Sequence, residues 1–246
     1  YDVYQYISEI TGSLWYTRRI DDNTIAIDFY DTEFLSRAND IKYTKEYFEK
    51  FFLSESSFEI KSSPIWYSDR ASYGVEELGK PRESHKEEHG FETIHGSGVV
   101  TGKLYGGCIE SIYEAYVGTR YDDEPRIYEK YKILPTEEEW KEKVLFLETS
   151  EERMVPETLE KILLEFKKRN ILQNVKGIIV GKPMDEQYYE EYKEIYQKVF
   201  TDIKTPVLYN VNFGHSVPRC ILPYDREATI DYDHKTIRIN ESIFSD

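Results

Sequence analysis

Two patterns of apolar positions alternate along the C-terminal half of the chain. Apolar runs at residues 144–147, 175–181 (interrupted by Lys176) and 206–209 are typical of buried strands. Between them, residues 156–168 and 188–200 carry apolar side chains at the spacing of a helix with one buried face. This strand–helix–strand–helix–strand order predicts a parallel sheet covered by helices, and therefore an α/β fold.

The N-terminal half carries a weaker pattern. Residues 2–7 are rich in β-branched and aromatic side chains and run into Ser8, which predicts a strand, a sharp turn and a helix. Residues 24–29 predict a second strand, and residues 43–53 have helical spacing. Residues 67–95 contain glycines and charges with little apolar periodicity, which predicts a long exposed loop.

Glycines and β-forming residues dominate again from about residue 93. A helix is predicted over 109–117 and closed by Gly118, and a second loop is predicted through Pro135. The resulting prediction has three parts: a remnant of an N-terminal domain at 1–53, a linker and insertion loop at 54–95, and a C-terminal domain at 96–246.

Charge and composition narrow the possible partners. The 246 residues include 32 Lys and Arg against 47 Asp and Glu, a formal net charge of −15. The average surface should repel nucleic acid and anionic membranes, and no apolar run approaches the ~20 residues that cross a bilayer. Two distant cysteines outside any metal-type spacing favour a reduced compartment. We therefore expect a cytoplasmic protein without nucleic-acid or membrane partners.

Two ionisable residues directly follow predicted parallel strands, where ligands bind in α/β sheets. They are Glu148 and His215. A carboxylate that accepts the Nδ1 proton of a histidine fixes its tautomer and supports the imidazolium that forms during nucleophilic catalysis. The missing nucleophile could be Ser8, which sits between a predicted strand and helix. A serine at the start of a helix is more often an N-cap than a nucleophile. Cys108 and Cys220 are alternative nucleophiles, but free cysteines are usually buried and inert.

Four motifs in order resemble the LD-carboxypeptidase and microcin-immunity serine peptidases. They are GKLYGGCI at 102–109, LFLE at 145–148, GIIVGK at 177–182 and FGHSVP at 213–218. The resemblance covers about residues 40–246. It implies a fragment of a flavodoxin-like nucleophile domain followed by the family's α/β C-terminal domain.

The resemblance also implies a Ser-Glu-His triad. Glu148 matches the family's glutamate, His215 its histidine and Ser8 its nucleophile, and the backbone N–H of Glu9 would contribute to the oxyanion hole. The sequence departs from the family's nucleophile turn at three positions, Tyr6, Ile7 and Glu9. A second registration would place the nucleophile upstream of Tyr1.

Substrate contacts are implied at three further positions. Trp66 resembles the tryptophan of a Trp-Ser-Asp stretch in the microcin-immunity branch, where the following insertion borders the substrate, and its ring could stack on an adenine. The N–H groups of Gly106 and Gly107 could bind a substrate carboxylate. Cys108 stands where the family commonly has asparagine. The expected substrate is an amide in a peptidyl or acyl-adenylate-like conjugate, or an LD-peptide of cell-wall origin.

The predicted activity is thus a serine-type carboxypeptidase or amidase that needs neither metal nor cofactor, and the resemblance suggests a homodimer. An inactive or degenerate member that acts as a ligand-binding or interaction domain is the alternative. A metallohydrolase that uses His85, His89 and His95 is a third hypothesis, although these histidines lack a clear acidic partner in the pattern.

Overall fold

The computed structural model describes residues 14–19, 25–30, 42–53, 56–72, 76 and 80–241. The chain divides into two compact units, one comprising Tyr1–Lys42 with Arg70–Pro81 and the other Tyr43–Asp69 with Arg82–Asp246. Within the described ranges, no helix is long and apolar enough to cross a membrane.

The described elements are twelve strands and seven α-helices, numbered here in chain order. They are β1 (Leu14–Arg19), β2 (Ile25–Tyr30), α1 (Lys42–Leu53), β3 (Phe58–Ile60), β4 (Ile65–Tyr67), β5 (Ser84–Lys86), β6 (Glu92–His95), β7 (Val99–Cys108), α2 (Ile109–Val117), α3 (Glu124–Tyr131), α4 (Glu137–Trp140), β8 (Lys143–Glu148), α5 (Pro156–Lys168), α6 (Ile171–Asn174), β9 (Gly177–Gly181), α7 (Tyr189–Val199), β10 (Val207–Val211), β11 (Glu227–Asp231) and β12 (Thr236–Ile239). A 3₁₀ turn, Met184–Glu186, follows β9.

The small unit contains an antiparallel hairpin of β1 and β2, in which Leu14 lies opposite Tyr30 and Arg19 opposite Ile25. The prediction of a second strand at 24–29 is confirmed. The helix predicted to follow Ser8 is wrong over residues 14–19, because the run Leu-Trp-Tyr-Thr favours an extended chain over a helix. Ser8 and Glu9 themselves lie outside the described residues.

A mixed sheet of eight strands organises the large unit, in the order β3-β12-β11-β7-β8-β9-β10-β6. The four central strands, β7 to β10, run parallel, and the flanking strands on both sides pair antiparallel. The α/β fold predicted from the sequence is confirmed. The parallel centre brings the carboxyl ends of β7, β8, β9 and β10 to one edge.

Strand β8 shows why the apolar runs are continuous. Leu145 and Leu147 pack into the core beneath α5 and α7, while Val144 and Phe146 face a second core on the other side of the sheet. A strand that is covered on both faces has no solvent-facing positions, so the usual alternation of apolar and polar residues disappears.

The predicted loops contain elements that the sequence pattern did not indicate. Residues 67–95 include β5 and β6, and residues 118–135 include α3. Strands of three or four residues are too short to establish a period, and α3 has no buried residue to mark an apolar stripe. Helix α1 contributes Tyr47 to the core of the large unit. The domain boundaries at 53 and 95 stay a prediction.

Candidate active site

Glu148 and His215 meet across the carboxyl edge of the sheet, although their strands are not neighbours. Glu148 ends β8, and His215 lies four residues after β10, with β9 between them. The segment after β10 must therefore pass over the end of β9 to reach Glu148.

Two glycines make this crossing possible. A Cβ on Gly181, at the end of β9, would lie 2.9 Å from the Cβ of Glu148 and 3.1 Å from the carbonyl oxygen of Phe213. Gly214 has a φ of +83°, and a Cβ there would lie 2.5 Å from Oε2 of Glu148. Glycine alone allows both the close approach and the left-handed backbone.

The carboxylate of Glu148 accepts two hydrogen bonds from His215. Its Oε2 lies 2.7 Å from Nδ1 of the ring and 3.1 Å from the backbone nitrogen of the same residue. The Glu148 side chain is 8 % exposed and the His215 side chain 38 %. The hydrogen bond from the ring to Glu148 raises the pKa of His215 above its usual value, against the opposing effect of partial burial. This pair can hold a histidine with Nδ1 protonated and Nε2 turned outward.

Glu151 lies at the outward side of the imidazole. Its Oε2 is 3.0 Å from Nε2 of His215, and its side chain is 59 % exposed. A nucleophile that transfers its proton to Nε2 would need the same position. Because Glu151 is largely solvated, it can leave this position without breaking a buried contact.

The loop that carries Glu151 is fixed at both ends. The backbone N–H of Ser150 donates to Glu110 in α2 over 3.0 Å, and its hydroxyl donates to the same carboxylate oxygen over 2.7 Å. At the other end, Arg153 pairs with Asp185, after β9, at 2.5 Å. Asp185 also accepts the N–H of Asp69 at 2.7 Å. Three loops are thus joined beside the Glu148–His215 pair.

Strands β4 and β5 form a two-stranded antiparallel sheet, the β4–β5 pair, which contacts the His215 segment directly. The backbone N–H of Tyr67 in β4 donates to the carbonyl of Val217 at 2.9 Å. Its neighbour Trp66 stacks on His85 of β5, with ring centroids 4.1 Å apart. The β4–β5 pair, which carries Trp66, is therefore anchored two residues beyond His215.

A buried lysine connects the β4–β5 pair to the eight-stranded sheet. Lys182 follows β9, its side chain is fully buried, and its Nζ lies 5.1 Å from the centroid of the Trp66 ring. The ammonium group donates to Glu87 at 3.0 Å, to Glu186 at 2.5 Å and to the side-chain oxygen of Asn210 at 3.3 Å. Burial alone would raise the pKa of Glu87, but the Lys182 charge and hydrogen bonds lower it overall.

On the other side of Glu148, the end of β7 opens into a cleft of about 330 Å³ that includes Gly106, Gly107 and Cys108. The cysteines are poor nucleophiles here. Burial, aided by the Glu110 charge, raises the pKa of Cys108 to about 11, and burial raises the pKa of Cys220 to about 12.

The three histidines predicted to lie in a loop are separated from one another by their contacts, and two of them lie in strands, His85 in β5 and His95 in β6. His85 bonds to the hydroxyl of Ser68 at 2.7 Å, His89 stacks on Tyr189, and His95 contacts the carbonyl of Ile203 at 2.7 Å. In the part of the chain that the structure describes, no group of three or more His, Cys, Asp and Glu is arranged to hold a metal ion.

Comparison with known proteins identifies the family. Residues 101–230, more than half of the chain, match the model of the LD-carboxypeptidase C-terminal domain. This chain belongs to the LD-carboxypeptidase family. Glu148 and His215 both lie in the segment that matches.

The chain is similar to a protein of Treponema pallidum (strain Nichols) described as "Putative carboxypeptidase". The two are 25 % identical over 214 residues, 82 % of this chain and 54 % of the relative's length. An MccF-like protein from Streptococcus pneumoniae, solved in complex with AMP, is 37 % identical with a TM-score of 0.72, over 81 % of this chain and 57 % of its own. The microcin C7 self-immunity protein MccF, solved with aspartyl sulfamoyl adenosine, shares the fold at 23 % identity and a TM-score of 0.65, over 83 % and 57 %. The chain thus spans little more than half the length of these relatives.

The motifs of this LD-carboxypeptidase family member pointed to Glu148 and His215 but not to the residues around them. Glu151 lies in none of the motifs, and Lys182 ends the GIIVGK motif at 177–182 without a signal in its spacing for burial or for its partners. The glycine beside His215, Gly214, was the available local signal. The reason that a glycine is needed there becomes evident only in the structure, where β9 separates β8 from β10 and the His215 segment must cross it to reach Glu148.

Proposed function

We propose that the protein is a serine-type peptidase or amidase in which His215 is the general base and Glu148 orients it. The observation that carries this proposal is the 2.7 Å contact between Nδ1 of His215 and Oε2 of the buried Glu148. It directs the basic Nε2 away from the protein core. Family membership supports the same chemistry.

In the proposed reaction, a serine hydroxyl attacks the amide carbonyl while Nε2 of His215 accepts its proton. His215 then donates this proton to the leaving nitrogen, which leaves an acyl-enzyme that water hydrolyses by the same steps. The nucleophile is Ser8 or a serine upstream of Tyr1. If it is Ser8, the backbone N–H of Glu9 donates a hydrogen bond to the oxyanion. Glu151 must move from Nε2 before the serine can occupy its position.

The proposed substrate is an amide in a peptidyl or acyl-adenylate-like conjugate, or alternatively in an LD-peptide of cell-wall origin. AMP and aspartyl sulfamoyl adenosine in the related structures support the nucleotide conjugate. Trp66 and the N–H groups of Gly106 and Gly107 are the proposed substrate contacts. A cytoplasmic homodimer with domain boundaries at residues 53 and 95 completes the proposal.

The test uses the full-length protein and a panel of aminoacyl sulfamoyl adenosines and LD-peptides, with hydrolysis followed by chromatography. Glu148→Ala and His215→Ala should each lower kcat/KM by about 10³-fold or more. His234→Ala is the matched control, because His234 bonds to Asp231 at 2.8 Å but is 80 % exposed. Undiminished hydrolysis in both the Glu148→Ala and the His215→Ala variant would refute the assignment.

A ligand-binding protein without hydrolytic activity is the second candidate. The contact of Glu151 with Nε2 of His215 favours it, because this contact leaves no room for a nucleophile. A fluorophosphonate probe distinguishes the two functions. Labelling of a serine that depends on His215 supports the enzyme, and nucleotide binding without labelling supports the binding protein.

A further inference from the structure

The cleft at the end of β7 has an uncharged lining. Three tyrosines and three aliphatic residues form its walls: Tyr105, Tyr128, Tyr224, Ile112, Ile133 and Leu134. Residues 106–108 and Ser111 complete the lining, so none of the described residues that line the cavity carries a carboxylate, ammonium or guanidinium group. We call it the tyrosine cleft. In a chain with a net charge of −15, an uncharged cavity of about 330 Å³ is a distinct environment.

The tyrosine cleft begins beside the proposed catalytic carboxylate. Cys108, which lines it, is the register partner of Glu148 in the parallel ladder of β7 and β8, and Gly107 pairs with Leu147. The ring of Tyr224 lies close enough that the charge of Glu148 adds to burial in raising the pKa of the tyrosine hydroxyl. A group held in the cleft would therefore be one strand away from the reacting atoms.

Two of the three tyrosines in the cleft, Tyr105 and Tyr224, bond to the backbone through their hydroxyl groups. The hydroxyl of Tyr224 donates to the carbonyl of Gly106, and that of Tyr105 donates to the carbonyl of Ile133 at 2.7 Å. The two rings meet edge to face at an interplanar angle of 88°, with centroids 5.8 Å apart. These bonds hold the rings in place, so the walls offer ring surfaces more than hydroxyl groups.

We infer that the tyrosine cleft binds the side chain of the residue at the scissile amide and selects a neutral, preferably aromatic, side chain. A charged side chain would lose its hydration there without gaining a partner of opposite charge. An aromatic ring would pack against the held rings of Tyr105 and Tyr224 at little cost in ordering these side chains. This inference rests on the proposed function, because it assumes that the substrate reacts beside Glu148 and His215.

The experiment compares the binding of phenylalanyl and aspartyl sulfamoyl adenosine by calorimetry, in full-length protein carrying His215→Ala so that neither ligand is consumed. The phenylalanyl compound should bind at least about tenfold more tightly. Adding Tyr128→Ala should remove most of this preference, whereas Tyr131→Ala, on the same helix α3 but 64 % exposed and outside the lining, should not. Leu134→Lys should reverse the preference toward the aspartyl compound.

Equal affinity, a preference for the aspartyl compound, or no binding of either ligand would overturn the inference. So would the same response to Tyr128→Ala and Tyr131→Ala. Hydrolysis by the wild-type protein is measured separately. Selective phenylalanyl binding without hydrolysis would refute the proposed function but support the inferred selectivity of the tyrosine cleft. Hydrolysis with a preference for the aspartyl compound would support the proposed function but refute the inferred selectivity.

Discussion

The imidazole of His215 lies between two carboxylates that differ in exposure. Glu148 bonds to Nδ1 and is 8 % exposed, and Glu151 contacts Nε2 and is 59 % exposed. Both charges stabilise the imidazolium, but solvent screens the outer one more strongly. The inner carboxylate therefore sets the tautomer and most of the pKa shift, while the outer one controls access to Nε2.

Replacement of each carboxylate should separate these effects. Glu148→Gln should lower the pKa of His215 markedly, because it removes the hydrogen bond that is the largest cause of the upward shift, and Glu151→Gln should lower it less. Since the base must be neutral, both variants should move the acid limb of the pH–rate profile to lower pH. NMR titration of the His215 ring checks the pKa values, with Glu152→Gln as the neighbouring exposed control.

The two variants should differ in activity. Glu148→Gln should reduce the maximal rate strongly, since an amide is a poorer acceptor for the Nδ1 proton. Glu151→Gln should leave it unchanged or raise it, because it weakens the contact that competes with a nucleophile at Nε2. A larger pKa change in Glu151→Gln than in Glu148→Gln would contradict this division of roles.

At the scale of elements, the site depends on the crossing of the segment after β10 over β9. Gly214→Ala should add a Cβ 2.5 Å from Oε2 of Glu148 at a φ of +83° and so push His215 away. We expect a loss of activity of about 10²-fold or more, since displacement by about 1 Å can have that effect. Gly98→Ala is the matched control, because Gly98 has a φ of +92° with no atom within 4 Å of the added Cβ.

Both glycine variants should lose about 1–3 kcal/mol of stability from backbone strain, measured by urea unfolding. Only Gly214→Ala should lose activity. Equal activity in the two variants would mean that the approach of Gly214 to Glu148 does not position the histidine.

The elements differ in how well the sequence predicts them, and the reason is burial. Helices α5 and α7 each have a continuous buried face, which includes Leu159 and Phe166 in α5 and Tyr196 in α7. The spacing of these apolar residues therefore predicts both helices from the sequence. Helix α3 buries nothing and was predicted as loop. At the site, Glu148 and His215 could be predicted because each follows a predicted strand. The residues around them could not, because they depend on the strand order β8-β9-β10, which is set by contacts between residues distant in sequence.

At the scale of the large unit, Lys182 joins parts of the chain that are far apart in sequence. Its ammonium group binds Glu87, before edge strand β6, Glu186, after β9, and Asn210 in β10, and it lies over the ring of Trp66 in β4. Glu87 is 4 % exposed and also accepts the N–H of Gly90 at 3.2 Å. The lysine thereby neutralises carboxylates that the acidic chain brings into its interior.

Lys182→Met should destabilise the protein by about 3–5 kcal/mol, because it leaves the carboxylate of Glu87 buried without its cation. Lys182→Met combined with Glu87→Gln should recover part of this loss. The matched control is Lys198→Met, which breaks a pair with Glu160 at 2.6 Å but removes a side chain that is 69 % exposed, and it should change stability by less than about 1 kcal/mol.

The pH dependence gives an independent check on the same cluster. The pKa of Glu87 is lowered in the folded protein, so its stabilising contribution is present above the unfolded value of about 4.3 and is lost as the pH falls through the folded value. Urea unfolding of the wild type should therefore show a loss of stability below about pH 4 that is smaller in the variant carrying both Lys182→Met and Glu87→Gln. Parallel curves for the two proteins would show that the buried pair does not contribute to acid unfolding.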